Sequence, residues 1–279
     1  MTRDVVALQL RLFLVAVQFY TRLPVDRRLA AWVGWRPEFL PRATRYFPLV
    51  GALVGVLVSF SYALAGGFLP HGVAVMIALA TGILITGAFH EDGFADFCDG
   101  FGTHASRERT LEIMRDSRVG AYGAIGVAML LLGRFETLAS LDPEWIASAF
   151  VAGHAWSRGC VVGVMASLPY AGEPQDGSEP KAKPIAVGLT PLDAGIALAL
   201  AAVPTLGIAA WTGTPGRFVV GVAAAVLVTL WLRRMMRKRL GGYSGDCLGA
   251  VQQAAELAFH VGLLGGLVLA AEALGDFGA

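Results

Sequence analysis

The sequence predicts an all-α protein, a polytopic integral membrane bundle forming one domain over 1–279. Three observations carry this prediction. Apolar residues make up 56% of the chain and charged residues 15%, with a mean hydropathy of +0.61. Soluble domains carry about 25% charged residues, so the balance excludes an ordinary water-soluble fold. Seven apolar stretches approach or exceed the roughly 20 residues that a membrane helix needs. Basic residues, finally, collect in alternate loops.

In chain order the stretches are 47–69, 72–89, 119–138, 145–168, 192–212, 218–232 and 249–274. An eighth, 5–20, is interrupted by Arg11 and Gln18 and reads either as a span or as an interfacial amphipathic helix. That gives seven or eight membrane helices. No cleavable signal is expected, because Asp4 and Arg11 lie within the first apolar run and no small-residue cleavage site follows.

The loop after Tyr20 holds Arg22, Arg27, Arg28, Arg36, Arg42 and Arg45, and the turn around Pro70 holds no basic residue. The loop after Phe89 holds Arg107, Arg109, Arg115 and Arg118, and the turn around Asp142 again holds none. Lys181 and Lys183 follow the 145–168 stretch, and Arg233, Arg234, Arg237, Lys238 and Arg239 follow Leu232. The positive-inside rule makes these loops cytoplasmic and places the C-terminus outside. Arg134 departs from this pattern inside its span, and Glu136 or another helix is expected to neutralise it.

The net charge of +1 gives no footing for a nucleic-acid partner. Cys98, Cys160 and Cys247 form no CxxC pair, and their odd number gives no disulfide framework. They read as buried small hydrophobes.

The chemistry concentrates directly after the 72–89 stretch. Glu91, Asp92, Asp96 and Asp99 put four carboxylates within nine residues. Carboxylates beside a membrane are costly, so a cluster there has a task. Asp92, Asp96 and Asp99 fall at i, i+4 and i+7, one face of a helix. Such hard oxygen donors suit Mg²⁺, which also binds substrate phosphates. Gly93 and Gly100 weaken this helix and are expected where a ligand approaches the backbone.

Two further runs lie on the same side. In 107–118, Leu111 and Met114 mark an amphipathic helix packing back on the bundle. Arg115 and Arg118, at i and i+3, read either as a phosphate clamp or as positive-inside anchors, with Asp116 between them. Gly241–Gly242 and Gly245–Asp246 open the last span, where a glycine loop at a helix N-terminus offers an anion site and Asp246 serves otherwise as the N-cap.

Charged residues also lie within spans. Arg158 sits about 15 Å and Glu256 about 12 Å from the cytoplasmic end at 1.5 Å per residue, as an ion pair or a deep polar pocket. His154 and His260 read as helix–helix hydrogen bonds. The segment 169–191, rich in Pro and Gly, reads either as a lid or as a linker.

The runs HEDGFADFCDGFG (90–102), RERTLEIMRDSRVGAYGAIG (107–126) and GGYSGDCLGAVQQAAE (241–256) together resemble the cobalamin synthase family, the adenosylcobinamide-GDP ribazoletransferases. VQFYTRLPV (17–25) and FPLVGALVG (47–55) share the likeness, which covers nearly the whole chain in order. One departure is Ala171-Gly172 after Tyr170, where family members often place an arginine.

The resemblance implies a Mg²⁺-dependent enzyme of the bacterial cytoplasmic membrane, with its site facing the cytoplasm. Its substrates would be adenosylcobinamide-GDP and α-ribazole or the 5′-phosphate, its products adenosylcobalamin or its phosphate, and GMP. In that frame Asp92, Asp96 and Asp99 hold one or two Mg²⁺, and Glu91 or Asp116 takes the proton of the attacking hydroxyl. Arg115 and Arg118 steady the departing phosphate, and the loop at Gly242, Gly245 and Asp246 holds the nucleotide or a second metal. A homo-oligomer is left open.

Two alternatives compete. A CDP-alcohol phosphotransferase shares the Asp-x2-Asp-Gly start at Asp96–Gly100, but Phe101-Gly102-Thr103-His104 follows, and Asp116 has no acidic partner four residues on. A transporter would place its site near the midplane. Here the motifs crowd one surface.

Overall fold

The computed structural model describes residues 2–36, 38–171 and 189–275. Short N-terminal helices α1 (Thr2–Tyr20), α2 (Arg27–Val33) and α3 (Phe39–Ala43) lead through a 3-10 turn into α4 (Phe47–Gly66). Then follow α5 (His71–Thr86), α6 (Phe89–Gly102), α7 (Arg107–Arg115), α8 (Ala121–Ala139) and α9 (Pro143–Ser167). The described chain closes with α10 (Pro191–Thr212), α11 (Pro215–Leu240) and α12 (Gly245–Gly275). Among the described residues the only β pairing is one isolated bridge, Tyr170 with Tyr243. The chain is an all-α, multi-pass membrane bundle.

Five segments are long and apolar enough to cross a membrane alone: Phe39–Gly66, Ala121–Ala139, Pro191–Thr212, Pro215–Leu240 and Gly245–Gly266. The pair α5 and α6, bent by 89°, is long and apolar enough together to form a broken span or a re-entrant loop. The 72–89 stretch is thus not one straight span. Gly87 and Ala88 both take left-handed backbone, φ 71° and 58°. The Ala88 N–H donates to Ile83 O at 2.9 Å and closes the end of α5. A side chain on Gly87 would run into the Arg22 guanidinium, so glycine is required at position 87.

Helix α9 sits at the expected place but is not apolar enough to count among those spans. It does not need to be, because 17 of its 25 residues are buried by the surrounding helices. Its polar residues Ser148, His154, Ser157 and Arg158 therefore face protein rather than lipid. Helix α1 also falls outside the five.

The basic run after Leu232 is not a loop. Helix α11 continues to Leu240, and Arg237, Lys238 and Arg239 occupy its last turn, where the helix dipole favours positive charge. Arg239 reaches across to the C-terminal carbonyls of α6, donating to Phe101 O at 2.8 Å and to Thr103 O. Arg107 donates to Leu240 O at 2.8 Å and so caps α11 from α7. Two arginines expected only as anchors tie α6, α7 and α11 into one end of the bundle. Leu111 and Met114 of α7 are buried as their pattern predicts.

The lid-or-linker segment 169–191 is described only at its two ends, since 172–188 lie outside the described residues. Asp193 makes a capping box with Thr190 at the start of α10 and also pairs with the buried Arg45 at 3.4 Å.

Candidate active site

Helix α6 leaves the Gly87 corner and packs in backbone contact with the start of α12. A Cβ on Gly93 would lie 3.1 Å from Asp246 Cα and 3.4 Å from Gly249 Cα. Gly93 thus admits a neighbouring helix, not a ligand as its sequence suggested. Gly100 likewise makes room for Met114 of α7, whose Cγ would lie 2.5 Å from a Cβ there.

This packing gathers the acids. Asp92 is exposed, Asp96 half-buried and Asp99 buried. Asp96 lies in a field of one sign, facing the carboxylates of Asp246, Asp92, Asp99 and Asp116 in falling order of strength. Asp246 in turn feels Asp92 as its strongest charged neighbour, ahead of the cation Arg115. Asp92 and Asp96 from α6 and Asp246 from α12 therefore share one site, with Arg115 of α7 at its edge.

Asp99 does something else. Its Oδ2 accepts from Gly120 N–H at 2.7 Å and its Oδ1 from Gly123 N–H at 2.8 Å. Those are free donors of the first turn of α8, which has no side-chain cap of its own. A Cβ on Gly120 would come within 2.5 Å of Asp99 Oδ1, and one on Gly123 would strike Oδ2. Both oxygens of Asp99, the expected third metal ligand, are thus engaged by backbone, and Asp246 lies near Asp92 and Asp96.

Arg118 folds back on Asp116. Nε donates to Asp116 Oδ1 at 3.0 Å and Nη2 to Oδ2 at 2.6 Å, and Arg118 N–H adds a bond of 3.0 Å to Oδ1. This grip pulls the Asp116 carboxyl down to about 2. Asp116 is accordingly a weak proton acceptor. The two expected phosphate-clamp arginines are not equivalent: Arg118 is locally paired, and Arg115 is the one whose charge reaches Asp246.

The glycine loop before α12 is also specialised. The N–H of Tyr243 donates to Pro169 O at 3.0 Å, and that of Ala171 to Tyr243 O at 2.8 Å. A Cβ on Gly242 would collide with Pro169 O. Gly242 therefore serves this strand-like contact. Ser244, not Asp246, caps α12, its Oγ accepting from Cys247 N–H at 3.4 Å. Gly245 is the first residue of the helix, leaving Asp246 in the first turn with its backbone against Gly93 of α6.

Below the acids lies a buried polar cluster. Glu91, next to Asp92 in sequence, turns inward and accepts from Gln253 Nε2 at 2.9 Å, with Arg134 Nη1 at 3.8 Å. It is not on the acidic face, so the expected proton-accepting role is not supported by its position. Arg134 also pairs closely with Glu256 and donates to Gln253 Oε1 at 2.9 Å. The neutralising partner lies on another helix, not at Glu136. Glu256 Oε2 meets His154 Nδ1 at 2.9 Å and Arg158 Nη1 at 3.8 Å, and accepts from Gln252 Nε2 at 2.5 Å. The Arg158–Glu256 pair is therefore present, within a larger network. His260 reaches Ala149 O at 3.2 Å, the plain interhelical bond expected of it. On α12, Asp246, Gly249, Gln253, Glu256 and His260 recur every three to four residues, so one stripe links the acidic site to the cluster. Gln252 and Gln253 are the members that sequence reading missed; the i, i+3, i+4 spacing of polar residues in an apolar run was the available signal.

The donor chemistry fits a divalent cation. Three carboxylates held together by backbone packing repel one another, and hard oxygen donors of this kind suit Mg²⁺. Among the described residues no three His, Cys, Asp or Glu side chains already stand in a metal-holding arrangement. Mg²⁺ commonly needs only one or two carboxylates, with substrate phosphate and water supplying the rest.

The family model described as cobalamin-5-phosphate synthase matches residues 12–264. An adenosylcobinamide-GDP ribazoletransferase of Leptothrix cholodnii is 43% identical over 263 residues, covering 92% of this chain and 96% of the relative. The enzymes of that name from Polaromonas sp. and Shewanella frigidimarina are 39% and 40% identical, covering 91% and 92% of this chain and 96% and 95% of the relatives. No solved structure matches the chain. A match across every element of the bundle, with the acidic α6 and the start of α12 inside it, places this chain in the cobalamin-5-phosphate synthase family.

Proposed function

We propose that this protein joins adenosylcobinamide-GDP to α-ribazole, or to its 5′-phosphate, forming adenosylcobalamin or its phosphate and releasing GMP. Full-length similarity to ribazoletransferases supports the reaction. The observation that carries the site is the meeting of Asp92 and Asp96 with Asp246 beside Arg115.

In this reading the ribazole hydroxyl attacks the phosphorus attached to the cobinamide, the P–O bond to GMP breaks in line as the new P–O bond forms, and the hydroxyl proton passes to water. Asp92, Asp96 and Asp246 would hold Mg²⁺, which when bound supplies positive charge against that growing on the departing GMP phosphate. Arg115 adds a fixed positive charge at the edge of the site. Asp99 sets α6 against α8, and the Glu91–Gln253–Arg134 contacts set it against α12. Together they hold the spacing between Asp92, Asp96 and Asp246. Catalytic carboxylates need such support, because a displaced group loses much of its effect. The basic end of α11 and the cations of α7 support a cytoplasmic orientation for this end, where nucleotides are available.

The test is Mg²⁺-dependent GMP release from adenosylcobinamide-GDP and α-ribazole by the protein in proteoliposomes. Asp96→Asn is expected to abolish release while the protein stays inserted. Turnover at a near-normal rate in that variant would overturn the assignment. CMP release from a CDP-alcohol, or substrate crossing the vesicle wall uncleaved, would favour the competing activities.

A further inference from the structure

We propose that the groove between α9, α10 and α11 holds one acyl chain of a phospholipid, with the lipid phosphate resting on Arg233. The groove has a cavity volume of about 320 Å³. Gly163 and Val164 of α9, Leu198 of α10, and Val226 and Leu230 of α11 form its walls. On α9 the lining residues Trp156, Cys160, Gly163 and Ser167 recur at i, i+4, i+7 and i+11. His154 and Arg158 lie on the other side of that helix, toward Glu256. The groove is therefore separate from the acidic site and its polar cluster.

Its dimensions match one leaflet. From Ser167 to Trp156 the lining stripe runs eleven residues, about 16 Å at 1.5 Å per residue. The hydrocarbon core is about 30 Å thick, so the groove spans roughly half of it. Among the described residues no group fills it at Gly163, where a Cβ would meet nothing within 4 Å. Side chains lining an unfilled space lose dispersion contacts, and in a bilayer the apolar filler at hand is a lipid tail.

Its mouth carries positive charge. Arg233 Nε donates to Ser167 Oγ at 2.8 Å and Nη2 to Ser167 O at 3.1 Å, which fixes the guanidinium at the rim on neutral partners. Among the described residues no carboxylate pairs with it. Arg237, one turn further on the same face of α11, is exposed. A planar cation held at headgroup level above an apolar slot is complementary to a phosphate ester with an attached chain. Inorganic phosphate would satisfy only the rim.

The experiment counts phospholipid on the full chain purified in mild detergent, by phosphorus assay after extraction. Native mass spectrometry follows, on delipidated protein given phosphatidylglycerol. The wild type is expected to retain one phospholipid per chain. Gly163→Leu, which fills open space, should lose it, and Arg233→Ala should retain markedly less. Leu230→Trp closes the groove from α11 and gives a second reading should Gly163→Leu fail to insert. A wild type that holds no phospholipid would overturn the proposal, as would a groove-filling variant that holds as much as the wild type. Inorganic phosphate binding at Arg233 with no retained lipid would overturn it too.

Discussion

The Asp99 carboxylate and the Gly123 N–H are 2.8 Å apart, and this bond joins two runs separated by 24 residues. The acidic helix and the glycines before α8 are therefore one structural unit, and Asp99 is its clasp. Asp99→Ala would leave the Gly120 and Gly123 donors without their acceptor, at about 1–3 kcal/mol each. Thermal unfolding in detergent should show that loss, with Asp99→Asn milder because one amide oxygen remains. Equal stability of Asp99→Ala and the wild type would contradict the clasp.

Gly123→Ala should fail for the converse reason, since its methyl group would strike Asp99 Oδ2 and lie 2.9 Å from the backbone oxygen of Ala95. Lower stability is expected here, and it should be partly relieved in the Asp99→Ala background, the clash with Ala95 O remaining. Simple addition of the two losses in a double-mutant cycle would argue that the residues do not meet.

Glu256 collects Arg134, His154, Arg158 and Gln252 in the buried interior. Removing one partner of a buried ion pair costs about 3–5 kcal/mol, because the remaining charge is stranded. Glu256→Ala should therefore insert poorly or unfold at markedly lower temperature, and Glu256→Gln should recover part of the loss. Wild-type stability in Glu256→Ala would show the cluster to be dispensable.

The grip of Arg118 keeps Asp116 ionised. A depressed carboxyl stabilises the charged pair above its unfolded value of 3.8, and that contribution disappears as pH falls through about 2. Between about pH 4 and 9 the charge on Asp116 is constant, so the acid limb of the rate profile belongs to another group. Asp116→Asn should leave that limb in place. A shifted limb in this variant would restore Asp116 as a proton acceptor.

Much of the bundle was legible because apolar length is a strong signal. The stretches 47–69, 119–138, 192–212 and 249–274 correspond to α4, α8, α10 and α12 within a few residues. The corner at Gly87 and Ala88 was not, since composition stays apolar across it and the break depends on backbone angles and on Arg22. Helix α11 was expected to stop at its arginines, but cations at a helix C-terminus extend a helix as readily as they end a span. At the site, spacing placed Asp92, Asp96 and Asp99 on one face, yet spacing is blind to neighbours. The α8 N-terminus engages Asp99, and Asp246 arrives from 150 residues beyond Asp96. Glycines at 93, 100 and 242 looked like ligand sites because close backbone approach has the same signature whether the visitor is a substrate or another helix.

The most direct measurement is the Mg²⁺ concentration giving half-maximal GMP release, compared for the wild type, Asp246→Asn and Asp99→Asn. If Asp92, Asp96 and Asp246 form the cation site, Asp246→Asn should raise that concentration by about tenfold or more, whereas Asp99→Asn, which keeps one acceptor oxygen for the α8 N–H groups, should raise it far less. An unchanged requirement in Asp246→Asn together with a raised one in Asp99→Asn would contradict the account.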